Sequence, residues 1–128
     1  MKVKQIYNFA DYYKMGMVEH INLKEDMPSV DEAGRRLAQI LKSSRSRGVK
    51  ALKIIHGYGS QGVGGAIRVS VRKSLMKRVH AKEIRACIPG ETWGLVDKES
   101  QEVLRQCDAL FGDPDLGMAN PGITVVLM

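Results

Sequence analysis

Acidic side chains are nearly missing from the middle of this chain. Between residues 35 and 85 it carries fourteen lysines and arginines and a single carboxylate, Glu83. The flanks reverse the balance: residues 1–34 hold four basic and six acidic side chains, residues 86–128 two and seven. A modest net charge of +6 therefore conceals a strongly positive block, whose field attracts polyanions, nucleic acid above all. The same scarcity makes a two-metal nuclease centre hard to build, because such a centre needs several carboxylates together. Cysteine is sparse too. Cys87 and Cys107 are too few and too far apart for a disulfide framework or a zinc site, and are expected as reduced thiols in the cytoplasm. No apolar run approaches the ~20 residues of a membrane span. No apolar segment follows Met1-Lys2-Val3-Lys4, so no secretory signal is expected. The glycine-rich stretch Ser60–Gly65 lacks the Gly-Lys-Ser/Thr ending of a Walker loop, which counts against an NTPase.

What is present is a single α/β domain's worth of elements. Residues 1–17, with Ile6, Phe9, Tyr12 and Tyr13 loosely spaced, are expected as an N-terminal arm. Residues 18–23 alternate apolar and polar, the period of a half-buried strand. Ser29 with Glu32 is a capping box. It opens a helix carrying Val30, Ala33, Leu37, Ile40 and Leu41 on one face, with Gly48 as its terminator. Residues 51–55 are almost continuously apolar, as in a central strand. Ile67, Val71, Leu75 and Val79 stripe a second helix over about residues 65–79. A third strand is expected over 83–88, a helix over 97–111 and a β-branched strand over 123–127. The order predicts a two-layer α/β sandwich, helices on one sheet face, with residues 89–121 inserted before the last strand. Trp93 is expected to anchor that insertion to the core.

The densest chemistry lies after the second strand, in Leu52-Lys53-Ile54-Ile55-His56-Gly57-Tyr58-Gly59. A titratable imidazole, two glycines and the N-terminus of a basic helix meet at one strand end. Helix N-termini offer unpaired N–H groups and a positive dipole end to phosphate. An imidazole can hold a phosphate or move a proton near neutral pH. Gly57 and Gly59 are expected to supply positive φ or close backbone approach. Arg68 stands in the first turn of its helix against the dipole's preference, which marks it as a phosphate ligand. Arg72 and Lys73 follow as backbone contacts.

These residues resemble the Smr (small MutS-related) domain family. His56-Gly57-Tyr58-Gly59 fits its HGxG motif. Ala66-Ile67-Arg68 fits the start of its following helix, and Gly122–Leu127 its last strand. The resemblance covers about residues 18–128. It implies a β-α-β-α-β-β core similar to the C-terminal domain of translation initiation factor 3. It also implies binding of DNA or RNA and, in several relatives, endonuclease activity with His56 as the catalytic residue. It departs at the family's LDxH motif, where Asn22 and Lys24 stand in the Asp and His positions. Asn cannot serve as a general base, while Lys24 can still hold a phosphate. No cofactor is assigned; Mg²⁺ or Mn²⁺ enters only with nuclease chemistry. Contacts mainly to sugar–phosphate backbone are expected, since few aromatic or amide side chains lie there to read bases. A protein-interaction module working through the acidic 97–115 segment is the rival, and a homo-oligomer contact through the insertion is left open.

Overall fold

The computed structural model describes residues 17–26, 28–58 and 64–128. The expected N-terminal arm therefore lies almost wholly outside the described residues. Strand β1 (Val18–Asn22), helix α1 (Val30–Ser46), β2 (Ala51–Ile55), α2 (Gly64–His80), β3 (Ala86–Pro89), α3 (Lys98–Gln106), a 3-10 segment (Asp108–Gly112) and β4 (Ile123–Leu127) follow in order. The sheet order is β1-β2-β4-β3. β1 runs parallel to β2, and β4 lies antiparallel between β2 and β3. This is the mixed α/β architecture expected from the order of elements.

Local chemistry explains the helices. Ser29 Oγ accepts from Glu32 N at 3.1 Å, and Glu32 Oε1 accepts from Ser29 N at 3.2 Å. Two of the orphan donors at the start of α1 are thus satisfied reciprocally. At its far end Gly48 takes φ 73°, a conformation with no Cβ penalty for glycine. The stripe on α2 is buried as expected at Ile67, Val71 and Leu75, against Leu37 and Leu41 of α1 and against Leu52, Ile54 and Val126 of the sheet.

The layer count differs from the expectation. Side chains alternate across a strand, so residues 51 and 53 of β2 and 123, 125 and 127 of β4 face away from α1 and α2. They are apolar or buried too. They pack on Val103, Leu104, Cys107 and Leu110, so α3 and the 3-10 segment form a third layer on the opposite face. β4 is buried at all five positions because it is covered on both sides. Trp93, 1 % exposed, anchors this third layer. Two boundaries also move. β3 begins at Ala86 because the amides of Glu83 and Ile84 bond back to Arg78 O, extending the turn that ends α2. The expected helix over 97–111 breaks at Cys107, where φ is −142°, and resumes as the 3-10 segment. None of the described helices is long and apolar enough to cross a membrane.

Candidate nucleic-acid interface

β2 delivers His56 and Gly57 to the sheet end beside the start of β4. Both amides donate to Gly122 O at 3.0 Å, which pins the turn. Gly57 takes φ 76°, so the glycine there is required by the backbone conformation. A Cβ on Gly57 would meet Lys24 Cδ at 3.5 Å; the Lys24 stem therefore lies across this turn. Lys24 N donates to Asn22 Oδ1 at 3.0 Å. Asn22 thus shapes the loop that presents Lys24. Gly59 falls outside the described residues.

His56 lies beneath this surface, 0 % exposed. Its Nδ1 is 2.6 Å from Gly57 O, and its Nε2 is 2.9 Å from Thr124 Oγ1. A carbonyl can only accept, so Nδ1 carries the proton and Nε2 accepts from the threonine hydroxyl. Thr124 Oγ1 in turn accepts from Arg72 Nε at 3.1 Å. Every member of the chain Arg72–Thr124–His56–Gly57 is satisfied with a neutral ring. Burial is the main reason that the His56 pKa falls to about 4, with Arg72 and Arg68 adding to the shift against the pull of Gly57 O.

Arg72, expected as a backbone contact, is turned inward. Besides Thr124 it donates to Pro121 O at 3.2 Å and Ile123 O at 3.0 Å, and it grips Glu91 through Nη1 at 3.0 Å and Nη2 at 2.7 Å. Arg68 stays at the surface, its Nη1 4.0 Å from Glu91 Oε2. Lys73 is exposed on the following turn. The first turn of α2 contains no acidic side chain, so its dipole is not offset locally. The structure thus sets the Lys24 stem against Gly57, places Arg68 beside Glu91, which Arg72 and Thr124 tie to His56, and sets Lys73 further along α2.

Two members of this site were missed by sequence reasoning. Glu91 sits just after β3, outside the basic block. Thr124 is the one polar residue in the run Ile123–Leu127, and that lone hydroxyl in a buried strand was the available signal. Among the described residues no three His, Cys, Asp or Glu side chains gather closely enough to hold a metal ion.

A second network occupies the other sheet face. Lys53, counted in the basic block, is 4 % exposed. Its Nζ contacts Asp113 Oδ1 at 2.8 Å and pairs with Asp115. Trp93 Nε1 donates to Asp113 Oδ2 at 2.9 Å, and Asn120 Nδ2 to Asp115 Oδ1 at 3.1 Å. Burial opposes the ammonium, but the two carboxylates outweigh it and the Lys53 pKa rises.

A family model described as the Smr domain matches residues 25–96. Among solved structures, the chain is similar to the Smr domain of Thermus thermophilus MutS2. The two share 22 % identity with a TM-score of 0.53, over 85 % of this chain and 95 % of that one. At that identity the likeness speaks to the fold alone. No curated protein matches the chain.

Proposed function

The chain belongs to the Smr-domain family, and from that premise we propose that it binds DNA or RNA by the sugar–phosphate backbone at the Lys24–Gly57–Arg68 end of the sheet. One observation carries the proposal: the Lys24 stem lies against the Gly57 turn, and the network His56–Thr124–Arg72–Glu91 links that turn to Arg68 on a helix whose first turn has no acid. Cations beside a helix N-terminus suit phosphate. Lys73 extends the cationic strip along α2. Recognition by structure, such as junctions, ends or loops, follows from the shortage of side chains able to read base edges.

His56 in this reading is a positioning residue. Its ring is buried and both nitrogens are paired, so it holds the turn that presents Gly57 and Lys24. The experiment is incubation of the protein with branched DNA, plasmid DNA and structured RNA, with and without Mg²⁺ or Mn²⁺, beside His56→Ala. Binding that weakens steeply with salt and produces no cleavage supports the proposal. Cleavage abolished in a folded His56→Ala would make the histidine part of a nuclease's chemistry. Absence of binding would remove the proposal.

A second reading has its own observation. Leu95, Val96, Phe111 and Met118, in and beside the acidic 97–115 segment, are 57–93 % exposed, apolar side chains suited to a protein partner. Binding of a partner protein that is insensitive to salt would favour it.

A further inference from the structure

The carboxylate that touches the arginines of this site comes from outside the basic block, and its position is tightly fixed. Glu91 follows β3 directly. Gly90 before it has no room for a side chain: a Cβ there would lie 1.8 Å from Asn120 O and 2.9 Å from Ile123 O. Gly90 N also donates to Ile123 O at 2.9 Å. Glu91 grips Arg72 with both oxygens, and its Oε2 lies 4.0 Å from Arg68 Nη1. Its side chain remains 42 % exposed. Arg72 does not depend on it for anchorage, because Thr124 Oγ1, Pro121 O and Ile123 O already hold that guanidinium. Glu91 therefore places a negative charge where a phosphate seated on Arg68 would bring another.

We propose that Glu91 is a built-in competitor for phosphate at Arg68, lowering affinity and favouring internal phosphodiesters over terminal monophosphates. The proposal rests on the backbone-binding reading above. A phosphodiester carries one negative charge, whereas a terminal phosphate carries close to two at neutral pH. Repulsion from one fixed carboxylate is correspondingly greater for the terminal group. Glu91 cannot escape by taking a proton, since the hydrogen bonds from Arg72 hold its carboxyl below the usual range.

The test compares wild type, Glu91→Gln, Arg68→Gln and the double variant by fluorescence anisotropy. The probes are two hairpin oligonucleotides of one sequence, labelled at the 3′ end and bearing a 5′-hydroxyl or a 5′-phosphate. Glu91→Gln is expected to tighten binding about threefold or more, with the larger gain on the phosphorylated hairpin. The gain should vanish in the Arg68→Gln background. Wild type should bind the phosphorylated hairpin no more tightly than the other, and that comparison decides the matter if Glu91→Gln fails to fold. Tighter wild-type binding of the phosphorylated hairpin overturns the proposal. So does a folded Glu91→Gln with wild-type affinity, which would leave the binding reading standing. Failure of wild type and Glu91→Gln alike to bind either hairpin would overturn the underlying reading.

Discussion

Two polar networks tie the C-terminal third of the molecule to the sheet, one on each face, and they end differently. On the α1–α2 side the chain His56–Thr124–Arg72 ends at Glu91, whose side chain is 42 % exposed. On the α3 side Lys53 and Asp113 are 5 % and 3 % exposed, closed over by Trp93 and the 3-10 segment. Both networks contain a basic residue that the charge count assigned to the positive surface. A closed network cannot exchange a protein partner for a ligand without unfolding its cover. An open one can, at its exposed end. The closed network therefore stabilises the fold, and the open one joins the fold to the proposed binding surface.

The sharpest way to break the comparison is Lys53→Met. It leaves two carboxylates near the core without their cation and is expected to cost about 3–5 kcal/mol in denaturant unfolding. The affinity of the remaining folded protein should be unchanged. The pH dependence has two edges. The Lys53 pKa is raised, so its contribution is present below the ordinary lysine value and is lost as pH rises through the higher folded value. The Asp115 pKa is lowered, chiefly by Lys53 and then by Asn120. Its contribution is present above the ordinary aspartate value and is lost as pH falls through the lower folded one.

The open network responds in a different window. The His56 pKa drops from 6.5 to about 4, so between those values the unfolded chain binds the proton that the folded chain refuses. Stability should fall by about 3 kcal/mol as pH drops across that interval. Unfolding curves at several pH values will show this slope in wild type, and a folded His56→Gln should have lost it. Thr124→Val keeps the shape but removes the shared hydroxyl, leaving His56 Nε2 and Arg72 Nε unpaired; about 1–3 kcal/mol is expected from thermal unfolding. The smallest effect on the fold belongs to Arg68→Gln, within about 0.5 kcal/mol. It should nevertheless weaken nucleic-acid binding uniformly across sequences and reduce the salt slope by about one, as measured by anisotropy at several salt concentrations.

Which parts were legible in the sequence follows from the range of the interactions. Helix α1 could be read residue by residue because Ser29, Glu32 and the stripe Ala33–Leu37–Leu41 act within a few positions of one another. The turn at Gly57 was legible for the same reason. The third layer was not. The pattern of residues 97–111 announces an amphipathic helix but not which sheet face it covers, and only the apolar character of both faces of β2 and β4 hints at the answer. The contacts of Arg72 with Glu91 and Thr124 span 19 and 52 positions. Such contacts depend on the final strand register rather than on any local spacing. Lys53 left a clue, a lone cation inside an apolar strand, which signals a buried partner without naming it.

The proposed phosphate site is made by Lys24, Gly57 and Arg68. Amide chemical shifts in the ¹⁵N-labelled protein, followed while a short hairpin oligonucleotide is titrated in, test it most directly. Shifts concentrated at residues 22–24, 56–58 and 64–73 are the predicted result. Shifts concentrated at Leu95, Val96, Phe111 and Met118, with that sheet end unmoved, would contradict it.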